Sequence, residues 1–201
     1  MIVVGVTGGL ATGKTTVAGM LAQKGARVLD ADTIAADGMR PGQKIFKKVV
    51  RRFGPGVVTD GKIDRRALAD IVFRDETQRR ILEGIVHPYV AAELKKELNA
   101  LRREKAEVVV LDVPLLFESG FDRMTDIAIV VKADRATQIA RSMKRLSLPR
   151  GEAIRRIRAQ MPIKEKMRRA DIVIDNKGSS GETRKQVNRV WDMLRRRYFK
   201  I

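Results

Sequence analysis

With 201 residues, 44% of them hydrophobic, the chain has the size of one ordinary domain with enough apolar content for a packed core, and its lack of cysteine excludes disulfide frameworks and thiolate metal sites. No apolar run approaches the roughly 20 residues of a membrane span, and "MIVVGVTGG" lacks the basic start and the length of a secretion signal, so a cytoplasmic protein with no membrane partner is expected. The net charge of +18 excludes indifference to anions: nucleic acid, an anionic membrane surface or a polyphosphate ligand is implied.

In chain order, the first element is a buried strand at Ile2–Val6, "IVVGV", followed by the glycine-rich "GGLATGKT" and a helix from just after Gly13 to about Lys24, stopped at Gly25. "RVLD" at residues 27–30 is a weaker strand, and "LDADTIA" sets Asp30 and Asp32 directly after it. A mainly helical region, 33–105, comes next; Asp64 has the position of an N-cap for "RRALADIVF", and Pro88 in "HP" predicts a bend at His87. Further strands are expected at Val108–Asp112, Ile127–Val131 and Ile172–Asp175. Between the last two lies a second helical insertion, divided by Pro149 and Pro162, and a final helix begins near Gly181 with Val187, Val190, Trp191 and Leu194 on one face. Strands alternating with helices predict an α/β fold with a parallel sheet covered on both faces.

The positive charge is focused. Residues 132–201 hold 21 Lys and Arg against 7 Asp and Glu, and 135–169 alone hold 12 against 2. Only 4% of the chain is aromatic, which leaves few stacking platforms for single-stranded nucleic acid.

"GGLATGKT" fits the phosphate-binding pattern G-x-x-x-x-G-K-[ST] with Gly8, Gly13, Lys14 and Thr15. Consecutive backbone N–H groups there wrap an anion at the positive end of a helix; Lys14 reaches phosphate oxygens and the Thr15 hydroxyl suits a Mg²⁺ shell. The acceptor must be read elsewhere. A GTPase base-reading motif is missing, "VKAD" at 131–134 being only an echo, and the chain is small for a motor ATPase. A small kinase needs a P-loop, a carboxylate near the acceptor hydroxyl and a cationic lid that excludes water. Asp30 and Asp32 offer the carboxylate, or else cap the next helix; Asp112 offers a second metal ligand, or is a plain strand end; the arginines of 135–169 offer the lid, or are a solvated face.

Taken together, "VGVTGGLATGKTT", "DADTIA", "FGPGVVTDGKIDRRALADIVF", "LEGIVHPYV", "DVPLLFESG" and "RIRAQMPIKEKMRRADIVIDN", in this order, resemble the dephospho-CoA kinase family over nearly the whole chain. The resemblance implies a P-loop nucleotide-kinase fold with a five-stranded parallel sheet, and ATP- and Mg²⁺-dependent phosphorylation of the ribose 3′-hydroxyl of dephospho-CoA. Another small-molecule or nucleoside monophosphate kinase, or a nucleic-acid-binding P-loop protein, is the alternative. It further implies a discontinuous core at about 1–32, 106–134 and 170–201, a substrate-binding insertion at about 33–105 and a lid at about 135–169.

By matching motif, Gly8, Gly9, Leu10, Ala11, Thr12, Gly13, Lys14, Thr15 and Thr16 resemble the ATP phosphate loop, with Asn176 and Gly178 on the adenine side and Arg141 and Arg145 in the lid. Lys14, Asp32 and Arg141 correspond to catalytic groups, with Asp32 activating the hydroxyl; Thr15 and Asp112 correspond to the metal shell. Asp32, Asp64, Arg65, His87, Pro88 and the 114–118 segment with Leu115, Leu116 and Glu118 correspond to substrate-side elements. The sequence departs from the family pattern at Ala11 and Thr12, where Gly and Ser are commoner, and at Thr15, often Ser; Ala11 is cheap unless its φ is positive. A monomer or weak homo-oligomer without a specific nucleic-acid partner is expected.

Overall fold

A computed structural model describes residues 1–198; the last three residues of the expected 170–201 core segment lie outside the described residues. The chain divides into two compact units, residues 1–30 with 98–201, and residues 31–97.

The first unit is built on a five-stranded sheet of β1 (Ile2–Gly8), β2 (Arg27–Asp30), β5 (Val108–Asp112), β6 (Ile127–Lys132) and β7 (Ile172–Asp175), in the order β2-β5-β1-β6-β7 and parallel throughout. Every residue of β1 is buried, as its place at the sheet centre requires. β1 runs two residues further than the apolar run, because Thr7 and Gly8 pair in register with Val130 and Val131 of β6. β2 is an edge strand with Arg27 and Val28 exposed, which explains its weak sequence signal. Helix α1 (Lys14–Ala22) packs Val17, Ala18, Met20 and Leu21 with Ile2, Val4 and Val6, and α9 (Ser180–Tyr198) adds Val187, Val190 and Leu194, with Trp191 at the edge of this core. Gly25, with φ +109, follows α1 as expected.

The insertion after β6 consists of α6 (Arg135–Leu146), α7 (Arg150–Arg158) and α8 (Ile163–Arg169). Asp134 caps α6 by accepting from the Thr137 N–H at 2.7 Å, and Pro149 and Pro162 occupy the N-cap positions of α7 and α8, where a missing N–H costs nothing.

The second unit holds α2 (Ala31–Gly38), α3 (Lys44–Phe53), a two-stranded hairpin of β3 (Val58–Thr59) and β4 (Lys62–Ile63), α4 (Arg65–Val72) and most of α5 (Glu76–Arg103), whose end from Leu98 belongs to the first unit. Its core is Ile45, Val49, Val57, Leu68 and Val72. Asp64 caps α4 as expected, accepting from the N–H groups of Arg66 at 2.8 Å and Ala67 at 3.1 Å.

The region 33–105 is mainly helical, with one hairpin not among the expected elements: Asp60 and Gly61, with φ 51 and 71, form the tight turn between β3 and β4. One expectation is corrected here: Pro88 does not turn His87 out of helical conformation, since α5 runs through both residues. The lost bond to the Gly84 carbonyl is outweighed because Leu82, Ile85, Val86 and Tyr89 pack against the unit's core on both sides of the proline. Among the described residues no helix is long and apolar enough to cross a membrane.

Candidate active site

The carboxyl ends of β1, β2 and β5 lie side by side, with Val6 opposite Asp112 and Asp112 opposite Asp30 in register. This is the edge of a parallel sheet where ligands bind. From it the chain turns through Gly8–Gly13 into α1, whose amino end adds its partial positive charge.

The loop's shape is fixed by contacts. A Cβ at Gly8 would collide with the Val131 carbonyl and the Thr12 hydroxyl, and one at Gly13, already at φ +92, would overlap the Asn176 amide. Thr12 is fully buried; its N–H and hydroxyl donate to the Gly9 carbonyl at 3.2 and 2.9 Å. Its own carbonyl accepts from Asn176 Nδ2 at 2.7 Å and from Arg141 Nη1 at 3.5 Å. Ala11 has φ 55, so the left-handed geometry is kept even though this chain lacks the usual glycine.

Lys14, one residue past the loop's last glycine, forms an ion pair with Asp112. Burial pushes the Asp112 carboxyl above its ordinary pKa and neighbouring Asp30 pushes it the same way; the Lys14 ammonium and a hydrogen bond from Thr15 pull it back. The two residues expected in a metal shell, Thr15 and Asp112, are therefore within hydrogen-bond reach of each other. Two oxygen donors, with no cluster of three His, Cys, Asp or Glu among the described residues, suit a hard cation that completes its shell with phosphate and water oxygens.

Arg141, half-buried on α6, points at the loop through Thr12; Arg145, one turn on, is exposed. Asn176 is buried at 7% exposure and has both ends of its amide engaged, the oxygen accepting from the Thr183 hydroxyl at 2.7 Å. It anchors the phosphate loop to the end of β7. Gly178 precedes a reciprocal cap that starts α9: Ser179 N–H donates to Glu182 Oε2 at 2.7 Å and Glu182 N–H to Ser179 Oγ at 3.3 Å. A side chain at 178 would run into that carboxylate.

The 114–118 segment divides. Leu116 is wholly buried beside Gly5, so its expected place at the substrate surface is corrected to the core, with Phe117 also buried; Leu115 is half-buried. Glu118 Oε1 accepts from the Met161 N–H at 3.1 Å and pairs with Lys166 at 2.9 Å.

In the second unit, Asp32 is exposed in the first turn of α2 and Asp64 is committed to its cap, which holds its carboxyl below the ordinary pKa. Arg65 is exposed and has no ion pair among the described residues. His87 lies inside α5, half-buried; burial lowers its pKa while Glu83, one turn earlier, raises it, and burial wins. Pro88 is exposed.

Sequence reasoning missed three residues beside the phosphate loop. Gln160 Oε1 accepts from the Leu10 N–H at 2.9 Å. Gln138 donates through Nε2 to the Ala133 carbonyl at 3.1 Å, while its Oε1 lies buried beside Gly9 without a hydrogen-bond partner among the described residues. Lys166 is completely buried. Only Lys166 left a signal: it falls on the apolar stripe of Ile163, Met167 and Ala170, where a charge is out of pattern.

Comparison with known proteins agrees with this geometry. The family profile described as dephospho-CoA kinase matches residues 2–182. A protein of Symbiobacterium thermophilum named dephospho-CoA kinase is 52% identical over 192 residues, 95% of this chain and 80% of that one. A crystal structure of a Thermus thermophilus protein superposes with a TM-score of 0.81 at 38% identity, covering 96% of both chains. A dephospho-CoA kinase structure from Campylobacter jejuni gives 0.68 at 28% identity, again covering 96% of both.

Proposed function

We infer that this chain, which belongs to the dephospho-CoA kinase family, transfers the γ-phosphoryl group of ATP to the ribose 3′-hydroxyl of dephospho-CoA, giving coenzyme A and ADP, the final step of CoA biosynthesis. The observation that carries the inference is the family match across residues 2–182, which includes the phosphate loop and the Lys14–Asp112 pair at its base.

In this reading Gly8, Gly9, Leu10, Ala11, Thr12, Gly13, Lys14, Thr15 and Thr16 wrap the ATP phosphates, and Lys14 offsets charge that builds on the transferred group. Asp32 accepts the proton of the 3′-hydroxyl as its oxygen bonds to the γ-phosphorus. The bond from phosphorus to the β,γ-bridging oxygen breaks and its electron pair leaves with ADP. Arg141 and Arg145 add positive charge around the phosphates, with 135–169 acting as the lid and 33–105 as the acceptor-binding insertion. Thr15 and Asp112 would hold Mg²⁺, which neutralises phosphate charge when bound. Asn176 and Gly178 line the adenine side, and Asp64, Arg65, His87, Pro88, Leu115 and Glu118 serve the acceptor. The enzyme works in the cytoplasm as a monomer or weak homo-oligomer, without a specific nucleic-acid partner.

A coupled ADP-release assay with ATP and Mg²⁺ tests the acceptor, comparing dephospho-CoA with AMP, CMP and no acceptor. Turnover confined to dephospho-CoA, with coenzyme A as product, is expected, and Lys14→Ala lowers its kcat by about two to four orders of magnitude. Turnover with a nucleoside monophosphate instead, or acceptor-independent hydrolysis, refutes the assignment.

A further inference from the structure

Lys166 has no part in the reaction as written, yet its side chain is 0% exposed and it is the largest of the fully buried residues. Burial pushes its pKa down; Glu118 raises it and the charge of Lys14 lowers it further. Desolvating an ammonium within reach of a second one is costly, and a methionine would fill the same volume without that cost. Packing alone therefore does not account for a lysine here.

Its bonds do. Lys166 Nζ donates to the Pro114 carbonyl at 2.7 Å and pairs with Glu118 Oε1 at 2.9 Å. The same carbonyl accepts from Thr7 Oγ1 at 3.0 Å, one residue before the phosphate loop, and Pro114 itself lies two residues after Asp112. Glu118 Oε1 also accepts from the Met161 N–H at 3.1 Å, beside Gln160, whose side chain holds the Leu10 N–H of the loop at 2.9 Å. The buried ammonium thus closes a ring of bonds: end of β1, Asp112 segment, α8, the 160–161 connector and back to the loop.

We propose that Lys166 is a positioning residue for phosphoryl transfer, holding Pro114 and Glu118 so that Asp112 and the Leu10 amide keep their places around Lys14. The proposal rests on the kinase reading above. Because Lys166 is buried, it acts through these groups and not on substrate.

The test uses the full chain with Lys166→Met and Lys166→Arg, measuring steady-state kinetics and amide hydrogen exchange of the segments around Leu10 and Met161. For Lys166→Met, kcat falls about 10–100-fold while KM for ATP and dephospho-CoA stays within about threefold. Exchange of both segments quickens by at least roughly tenfold. Lys166→Arg, which keeps charge and donors, recovers kcat to within about fivefold of the parent. A folded Lys166→Met with kcat within about twofold of the parent, or with unchanged exchange, overturns the proposal. If that variant does not fold, Lys166→Gln replaces it under the same thresholds. A parent chain inactive on dephospho-CoA refutes the kinase reading instead, and the exchange readout then decides alone whether Lys166 holds the loop.

Discussion

Ala11 carries a conformation that its side chain disfavours. A φ of 55 places a Cβ close to the following carbonyl, a strain of roughly 1–2 kcal/mol that glycine does not have. Glycine loses part of this advantage through the freedom it gains in the unfolded chain, about 0.4–1 kcal/mol. Ala11→Gly therefore raises stability by roughly 0.5–1 kcal/mol, read as a rise of about 1–4 °C in Tm, with KM for ATP little changed. A fall in Tm would mean that the loop relaxes around alanine in a way the φ angle does not reveal. Phosphate-loop glycines and Lys14 were legible from spacing alone. The loop's supports were less so: Asn176 reads in sequence as an adenine-side residue and not as the anchor of Thr12, 164 residues away. Gln160 reaches Leu10 from 150 residues away with nothing local to mark it, and Lys166, which acts through Pro114, showed only as a charge out of pattern on an apolar stripe.

At the scale of elements, α4 shows what a single cap contributes. Asp64 holds the N–H groups of Arg66 and Ala67 in the first turn of a helix that supplies Leu68 and Val72 to its unit's core. Asp64→Ala lowers Tm by roughly 2–4 °C, and Asp64→Asn, a good cap itself, recovers most of it. The pH dependence has a definite sign. Bonds from the Ala67 and Arg66 amides hold the folded carboxyl below the ordinary value of 3.8, so the cap's contribution is complete above 3.8 and is lost as pH falls through the lowered folded pKa. The Tm difference between parent and Asp64→Ala closes accordingly in acid; a difference that persists unchanged at low pH would assign the effect to packing. The strands were legible because β-branched runs at a sheet centre have few alternatives. The hairpin was not read although "TDGK" carries its turn signal, since strands of two residues leave no alternation to notice. Pro88 misled for the opposite reason: a local rule was overridden by the packing of Leu82, Ile85, Val86 and Tyr89.

For the whole molecule, the question is what a net charge of +18 does. Within 135–169, Arg156, Lys166 and Arg169 have carboxylate partners, while the remaining nine of twelve cations have no ion pair among the described residues. Unpaired cations beside a phosphate loop raise the local concentration of polyanions, and this field is screened over a Debye length of about 10 Å at 0.1 M salt. ATP and dephospho-CoA are both anionic, so kcat/KM for each should fall roughly five- to tenfold between about 20 and 200 mM KCl at fixed Mg²⁺. Meanwhile kcat stays within about twofold, because groups in contact with bound phosphates are screened far less than an open surface. Neutral osmolyte at matched osmolarity should leave both constants unchanged. A flat kcat/KM against salt would show that the excess charge serves solvation only. An equal fall in kcat would instead locate the sensitive cations at the reacting phosphate, and Arg145→Gln, compared with Arg135→Gln, would then test whether Arg145 is one of them or only steers.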